Sequence, residues 1–325
     1  MNQSYQKFVP DASITYNNNQ VGEYRTNYKL SYNATSGYPT VNQIAPLVDS
    51  TNLYNIRLGN PSLKPFDKKN FSVSMDHSSS KSKAMFGYNV NLSAGYIDNS
   101  IVDSSIIDNL GRTTHYSVNA NGNKFANIGA SVNKAFKLSE NQIQLNLRTN
   151  FGISENPNYV NSILNYSSNF NHSHGLDLYY TLKELLIINL AQNVSFFQSK
   201  QSGLNNRQFG NSTKTTTVSA NYNFTIKISL SSNISYNTTS STNAKNIDFT
   251  ILNANLNYRF LKGNTGELKF SALDILQQNI SVINTGNNNT LTTGVANVLQ
   301  NYYMISFSYF PRQFGGGNSR QMRRR

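Results

Sequence analysis

The chain has 325 residues and a formal net charge of +13, and it contains neither cysteine nor tryptophan. Only 13% of its residues are charged. The basic residues are spread along the chain and cluster only near the C-terminus, without a zinc-finger, helix-turn-helix or RNP pattern, so we expect no nucleic-acid partner. No run reaches the roughly 18 apolar residues that a membrane-spanning helix requires.

Segments in which apolar and polar residues alternate recur along the chain. In 24–33 and 86–96 the even positions are mostly apolar, and in 141–153 the odd positions are. Side chains two residues apart share a face of a strand, so each segment has one apolar and one polar face. The alternation in 141–153 is long enough for the roughly 9–11 residues of a tilted bilayer-spanning strand, whereas soluble strands usually have about 5–6. The pattern therefore predicts an all-β fold, an antiparallel transmembrane β-barrel.

Other segments of the chain share this strand-like pattern. They are 8–18, 66–77, 112–138, 159–180, 185–200, 211–224, 228–240, 246–260, 266–283 and 298–310. The total of roughly 13 long strands predicts a partial barrel. In 246–260 the apolar phase changes between Ile251 and Leu252, which predicts a β-bulge.

The connections between these segments alternate in length. Short turns are expected at 137–140, 182–184 and 224–227, and longer loops at 35–65, 201–210 and 285–293. Outer-membrane barrels have short periplasmic turns and long extracellular loops, so the alternation assigns the two sides of the membrane. We expect 35–65, the longest loop, to be a leading candidate for ligand capture.

Three segments resemble a known family of outer-membrane barrels. The first is the motif Gly59, Asn60, Pro61, Ser62, Leu63, Lys64 and Pro65. The second, 273–278, contains Asp274 and has Gln277 where the family usually has Asn, and the third is the aromatic strand 300–310. Together they resemble the C-terminal barrel of TonB-dependent receptor-like proteins, in particular the outer membrane protein β-barrel family.

The resemblance implies a Gram-negative outer-membrane protein in contact with outer-membrane lipid. It also implies an N-terminal plug domain and energy coupling to TonB, both contributed by sequence outside this chain. The N-terminus lacks a signal peptide, the strand count is odd, and the loop pattern puts Met1 outside the cell. We therefore expect a C-terminal piece of a longer protein, with barrel residues 1–310 and a Gly/Arg-rich periplasmic tail at 311–325.

The polar face supplies the candidate binding residues. We predict that the lumen is lined by Arg25, Lys29, Asn146, Arg148 and Asn150. In a receptor these side chains would hydrogen-bond the plug or a passing ligand, and in a bare pore they would set selectivity. An interior merely wetted by amides is an equally good interpretation of the same pattern.

No catalytic constellation is visible, and we expect neither an enzyme nor a cofactor. His172 and His174 share a strand face, but no carboxylate completes a metal site there, and an unliganded pair is the better interpretation. Asp98, Asp103 and Asp108 recur near one strand without the EF-hand pattern, so solvated strand ends are expected rather than calcium ligands.

The sequence therefore predicts a receptor that takes up a ligand, with a siderophore, a glycan and a peptide all left open. A plug-free porin or structural barrel is the first alternative. A secreted Asn/Ser/Thr-rich adhesin is the second, and it would require an internal repeat of about 20–50 residues, which the chain lacks.

Overall fold

The computed structural model describes residues 6–49, 51–79, 84–183, 185–203, 206–242, 244–286, 291–296 and 298–310, so the tail at 311–325 lies outside the described residues. The described elements are almost all strands. In chain order they are β1 (Asp11–Gln20), β2 (Tyr24–Gly37), α1 (Val41–Ile44), β3 (Val48–Asp49), β4 (Asn55–Leu58), β5 (Phe66–Ser79), β6 (Ala84–Asp98), β7 (Ser100–Ile107), β8 (Thr113–Ala120), β9 (Asn123–Leu138), β10 (Asn141–Val160), β11 (Ile163–Leu182), β12 (Leu186–Gln201), β13 (Gln208–Asn223), β14 (Ile228–Ser241), β15 (Ile247–Phe260), β16 (Gly266–Leu273), β17 (Ser281–Gly286), β18 (Leu291–Ala296) and β19 (Tyr302–Tyr309).

A meander of antiparallel strands forms the body of the protein. Within the described residues it contains thirteen strands: β1, β2, β5, β6, β9 to β16, and β19. Each pairs with the next in that order. The two end strands, β1 and β19, pair along one edge only in this part of the structure. The predicted partial antiparallel barrel of roughly 13 long strands is thus confirmed as an open sheet.

The register of the strands places apolar residues beside apolar residues, and polar residues beside polar ones, on neighbouring strands. Residues paired directly across antiparallel strands point to the same side of the sheet. One row of paired residues consists of Ile14, Leu30, Val73, Leu92, Ile128 and Phe151. The opposite side of the same strands carries mainly Asn, Ser, Thr and Gln. We call these two sides the apolar face and the polar face.

The apolar face is not covered by protein. Leu30, Val73 and Leu92 are 53%, 46% and 44% exposed, although all three lie in the middle of long strands. A water-soluble domain would bury such a surface against a second layer. The exposure is that of a sheet whose apolar face contacts lipid.

Connections at one end of the meander have two to five residues, whereas the other end has the three longest connections together with three short ones. The short-turn end has the connections 21–23, 80–83, 139–140, 183–185, 224–227 and 261–265. The long-loop end has 38–65, 99–122, 161–162, 202–207, 242–246 and 274–301. At 161–162 the loop itself is tight, but β10 and β11 extend further than their neighbours to reach it. The predicted short turns and the long loop 35–65 are confirmed, but the alternation of lengths is interrupted by the two-residue connection 161–162.

A small group of elements, which we call the cap, lies at the long-loop end and consists of α1, β3, β4, β7 and β8. The hairpin β7–β8 attaches to the main sheet through a parallel pairing of Ser104 with Tyr159 at the end of β10. β4 then pairs in parallel with β8, and β3 pairs with β4. The cap therefore extends one corner of the sheet above the barrel strands.

Several predicted boundaries differ from the structure. The segment 112–138 is two strands, β8 and β9, because Gly122 adopts φ +101 between them. Residues 159–160 belong to β10, since the turn occurs at 161–162, and 266–283 is divided by a turn after β16. The bulge predicted at Ile251 was wrong. β15 pairs continuously with β14, and the change of phase arises because Phe249 and Ile251 are apolar residues on the polar face.

Within the described residues, no helix combines the length and apolar character needed to cross a membrane.

Candidate functional site

The five predicted lumen residues lie together on the polar face. Pairing through β5, β6 and β9 puts Arg25 in the same row as Asn146. The same strands put Lys29 in the row of Asn150, and Arg148 lies in the row between them. Four strand spacings separate β2 from β10, about 19 Å along the sheet. The five residues therefore belong to one polar band that crosses five of the thirteen strands of the meander.

The arginine in the middle row of this band forms an ion pair with β11. Nη2 of Arg148 donates to Oδ2 of Asp177 at 2.9 Å. The Arg148 side chain is 55% exposed, whereas that of Asp177 is 12% exposed. Gly175 is paired directly with Arg148, and a Cβ there would meet Nε and Nη2 of the guanidinium at 3.1 Å. The absence of a side chain at Gly175 lets the guanidinium lie along β11 toward Asp177.

Glycines elsewhere on the polar face make room for amide side chains. A Cβ at Gly129 would lie 2.8 Å from Oδ1 of Asn150, and one at Gly87 would lie 2.5 Å from Oδ1 of Asn133. The amides also bond to one another, as in the 3.1 Å bond from Nε2 of Gln144 to Oδ1 of Asn146. The polar face is thus a dense lattice of hydrogen-bonding groups with little net charge.

A cavity of about 1350 Å³ lies between the cap and the long-loop ends of β10, β11 and β12. We call it the vestibule. Its lining residues on the barrel side, Asn158, Asn165 and Gln201, all belong to the polar face. The vestibule is therefore continuous with that face. Its volume exceeds the 300–1,000 Å³ typical of small-molecule sites.

Charged side chains of both signs reach the vestibule from different segments. Arg57 lies on β4 and Arg207 directly precedes β13. On the hairpin β7–β8, Nδ1 of His115 lies 3.0 Å from Oδ2 of Asp103. Hydrogen bonds from Thr51, with a smaller effect from nearby Arg57, lower the pKa of Asp49 below its usual 3.8. The vestibule thus offers two arginines, two carboxylates and a histidine to a ligand.

The motif from Gly59 to Pro65 fastens the longest loop to the cap. A Cβ at Gly59 would overlap the backbone carbonyl of Ala45, so only glycine fits against the end of α1. The Gly59 N–H donates to the carbonyl of Leu47 at 3.3 Å, and the Asn60 N–H donates to the carbonyl of Gln43 at 2.6 Å. The motif therefore holds the loop in a folded form.

The second half of the motif joins the loop to β8. Nδ2 of Asn60 donates to the carbonyl of Ser117 at 2.8 Å, and the Lys64 N–H donates to Oδ1 of Asn119 at 2.8 Å. Nδ2 of Asn119 donates back to the carbonyl of Lys64 at 2.9 Å. Leu63 is 2% exposed, and Pro65 directly precedes β5. These contacts give the motif residues a structural role at the vestibule wall.

Asp274 also has a structural role. It follows β16 with φ 49 and is 2% exposed. Its carboxylate accepts the N–H groups of Gln278 and Asn279 at 3.1 Å each, and its own N–H donates to Oδ1 of Asn253 at 2.9 Å. The side chain therefore caps the turn that leads from β16 toward β17.

The histidine and aspartate groups considered as metal sites are dispersed. His172 and His174 lie on the apolar face, while Asp177 lies on the polar face. The carboxylate of Asp103 contacts the imidazole of His115. Asp108 closes the β7–β8 turn through its bond to Nε of Arg112 at 2.6 Å. That bond lowers the pKa of Asp108 below its usual 3.8. The described part of the chain brings no three His, Cys, Asp or Glu side chains into a metal-binding group.

The family model described as "Outer membrane protein beta-barrel family" matches residues 1–309. The chain belongs to this family. It is accordingly a protein of the Gram-negative outer membrane. In such a barrel the apolar face contacts lipid, the short turns are periplasmic and the long loops are extracellular. No curated protein sequence matches the chain.

Solved barrels that resemble this family member have little sequence identity with it. The ferric yersiniabactin uptake receptor FyuA of Yersinia pestis matches 93% of the chain at 9% identity and a TM-score of 0.49, which spans 50% of FyuA. The ferric preacinetobactin receptor BauA of Acinetobacter baumannii matches 92% at 7% identity and a TM-score of 0.47, which spans 49% of BauA. The toluene transporter TodX of P. putida matches 93% at 10% identity, with a TM-score of 0.29. The chain thus spans about half the length of FyuA and BauA.

Sequence reasoning missed most of the vestibule in this family member. It identified the loop 35–65 but not the contribution of Asp103, His115 or Arg207. Asp103 and His115 lie on the two strands of a hairpin, and their side chains are in contact although each residue pairs with a different one across the hairpin. The turn of this hairpin is closed by Asp108 and Arg112. An Asp-x-x-x-Arg turn flanked by alternating residues was the available signal.

Proposed function

We propose that the chain forms the C-terminal part of the barrel of a TonB-dependent receptor that takes up a ligand across the outer membrane and has no enzymatic activity. The observation that carries this proposal is the vestibule. It lies at the long-loop end, its outer wall is the cap, and its inner wall is the polar face of the barrel strands. A ligand bound there would already stand at the entrance to the barrel interior.

The lining of the vestibule suits a large polar ligand. Arg57 and Arg207 offer charge-assisted hydrogen bonds to carboxylate, phosphate or catecholate oxygens. The amides of Asn158, Asn165 and Gln201 add neutral donors and acceptors. These groups fit a ferric siderophore, a short glycan or a peptide, and they do not select among the three.

The polar band supplies a path below the vestibule. Arg25, Lys29, Asn146, Arg148 and Asn150 face the barrel interior in this proposal, because the opposite face contacts lipid. They would hydrogen-bond a plug domain in the resting receptor and a ligand during passage. Coupling to TonB would come from sequence outside this chain, as the resemblance of the Gly59–Pro65 motif implies.

Binding to the vestibule can be tested with the protein purified from outer membranes. We expect at least one of three probe sets, namely ferric siderophores, maltooligosaccharides and tripeptides, to quench tyrosine fluorescence saturably. The double variant Arg57→Gln/Arg207→Gln should weaken that binding about tenfold or more, because each arginine donates a charge-assisted hydrogen bond. The control is Lys137→Gln, which removes a basic side chain at the short-turn end of β9, outside the vestibule. Equal binding by the double variant and the control would refute the proposal.

Conductance distinguishes a receptor from the alternative of a plug-free porin. In planar bilayers a receptor barrel occupied by a plug stays closed, whereas a porin conducts steadily. We expect the complete outer-membrane protein to be closed and to conduct only after any plug preceding these strands is removed. Steady conductance by the complete protein would favour the porin.

A further inference from the structure

Two adjacent rows of paired residues form the cap wall of the vestibule. Arg57, His115 and Ser105 are paired directly across β4, β8 and β7, and all three line the vestibule. In the next row Ser117 is paired with Asp103, and both of these residues line it too. Directly paired residues point to the same side of a sheet. The register therefore brings a cation, an imidazole and a carboxylate from three segments of the chain onto one wall.

The carboxylate of Asp103 is only partly occupied by its neighbours. Nδ1 of His115 lies 3.0 Å from Oδ2, and the described residues place no hydrogen-bond donor on the other oxygen, Oδ1. The side chain of Asp103 is 49% exposed. Since a carboxylate has room for about four hydrogen bonds, one contact with an imidazole leaves most of that capacity unused. Asp103 can therefore bind a cationic group of a ligand.

The guanidinium of Arg57 is the matching cation on the same wall. Asp49 is paired directly with Arg57 across β3 and β4, but the carboxylate of Asp49 accepts the N–H and the hydroxyl of Thr51. Arg57 is exposed, and its side chain has no hydrogen-bonded carboxylate among the described residues. A guanidinium has five N–H donors and binds a carboxylate through two of them at once. Arg57 can therefore bind an anionic group of a ligand.

The two opposite charges stand at two corners of the wall. Arg57 and Asp103 are two strands apart across the cap and two residues apart along it, because Ser105 is the β7 residue in line with Arg57. With about 4.8 Å between strands and about 3.3 Å per residue, the two Cα atoms are about 12 Å apart. An extended peptide spans about 3.3–3.6 Å per residue, so its termini are about this far apart when it has three or four residues.

The groups near the two charges suit the backbone of such a peptide. The hydroxyls of Ser105 and Ser117 belong to the same wall, and the amides of Asn158 and Asn165 line the vestibule from the barrel side. Hydroxyl and amide side chains both donate and accept hydrogen bonds. The N–H and C=O groups of a peptide backbone need partners of both kinds. The vestibule, with about 1350 Å³, also leaves space for the side chains of the peptide.

Asp103 adds a discrimination that the arginines and amides do not provide. An uncharged glycan would use neither charge of the wall. A ferric siderophore presents mainly acceptor oxygens, which the carboxylate of Asp103 would repel. A peptide with free termini carries an ammonium group at one end and a carboxylate at the other at neutral pH, so it complements both charges.

We propose that the vestibule selects a peptide of three or four residues with both termini free. Its α-carboxylate binds the guanidinium of Arg57, and its α-ammonium binds Asp103, whose carboxylate is oriented by His115. This inference rests on the proposed uptake function, because it names the ligand of the same site.

Isothermal titration calorimetry on the wild-type protein purified from outer membranes tests the role of the two termini. The probes are tetraalanine, N-acetyl-tetraalanine, tetraalanine amide and free alanine. We expect blocking either terminus to weaken binding about tenfold, because each block removes one hydrogen bond between charged groups. Free alanine is too short to reach both charges, so it should bind no more tightly than the blocked peptides.

Two substitutions assign each terminus to its partner. Asp103→Asn should weaken binding of tetraalanine about tenfold and leave N-acetyl-tetraalanine unchanged, because the amide still accepts from His115 but no longer attracts an ammonium group. Arg57→Gln should weaken tetraalanine similarly and leave tetraalanine amide unchanged. The control is Asp248→Asn, which removes an exposed carboxylate at the long-loop end of β15, outside the vestibule, and should bind like the wild type.

Three results would overturn the proposal. One is wild-type protein that binds the blocked peptides within twofold of tetraalanine, a comparison that does not depend on the folding of any variant. Another is an Asp103→Asn variant that loses affinity equally for free and acetylated peptide. The third is saturable binding of ferric siderophores or maltooligosaccharides without binding of tetraalanine, which would leave the uptake function standing. If none of these probes binds, the proposed function fails, and this inference fails with it.

Discussion

Substitution of Gly59 tests which contacts hold the vestibule wall in its folded form. In Gly59→Ala the new methyl group would overlap the backbone carbonyl of Ala45, which cannot rotate away. The chain must shift, and we expect it to lose the hydrogen bonds from Gly59 to Leu47 and from Asn60 to Gln43. Each is worth about 1 kcal/mol, so opening of the loop becomes about 2 kcal/mol easier. That is about a 30-fold larger open population.

Limited trypsin digestion measures this population, because cleavage of a briefly opened segment follows its equilibrium when opening is fast. Cleavage after Arg57 should be about 30-fold faster in Gly59→Ala, while the barrel keeps its heat-modifiable migration. The control is Gly294→Ala, since a Cβ at Gly294 meets nothing within 4 Å. Equal cleavage of the two variants would refute the view that Gly59 fastens the loop.

Three further predictions concern the sheet and the cap. Arg148→Gln leaves the carboxylate of Asp177, which is 12% exposed, without its cation. Because the guanidinium itself is half exposed, we expect the free energy of unfolding measured in urea to fall by only about 1 kcal/mol. Adding Asp177→Asn should restore most of that free energy. The pKa of Asp108 is lower in the folded protein than its usual 3.8, because Arg112 bonds the ionised carboxylate. The bond to Arg112 therefore stabilises the β7–β8 turn fully above about pH 3.8, and this stabilisation is lost as the pH falls through the folded-state pKa. Hydrogen exchange of the turn, corrected for intrinsic rates, should accelerate below that pH in the wild type but not in Asp108→Asn. Leu147→Arg, at the centre of the alternating stretch of β10, should cost about 2–4 kcal/mol in lipid vesicles and Gln144→Arg much less, and equal costs would contradict the assignment of faces.

The strands and their faces could be predicted from sequence because the rule behind them is local. Alternation with period two, as in 141–153, fixes which residues share a face without any knowledge of neighbouring strands. For the same reason the five polar-face residues from Arg25 to Asn150 were identified individually. Their alignment into common rows could not be predicted, because the register depends on every intervening turn.

The cap could not be predicted from the sequence, because its strands are short and they pair with residues far away in the chain. β4 has four residues and pairs in parallel with β8, which lies more than fifty residues further along the chain. No periodicity can be recognised over four residues. The vestibule could not be predicted for the same reason, since the residues that line it come from several separate segments of the chain.

The mistaken bulge in β15 has a different origin. A change of apolar phase has two possible causes, an inserted residue or a switch in which face is apolar. Phe249 and Ile251 lie on the polar face in an unbroken register, so the second cause applies. A single sequence shows the same phase change in both cases. The pairing with β14 is what distinguishes them.

Paired spin labels at Leu145 and Asn146 test the central claim most directly. These neighbours lie on opposite faces of β10, within the stretch 141–153 that alternates between apolar and polar residues. With the protein in lipid vesicles, a label at 145 should be relaxed by oxygen, which concentrates among acyl chains. A label at 146 should be relaxed by a water-soluble nickel chelate. The reverse order of accessibilities, or equal exposure of both labels to the nickel reagent, would contradict the barrel account.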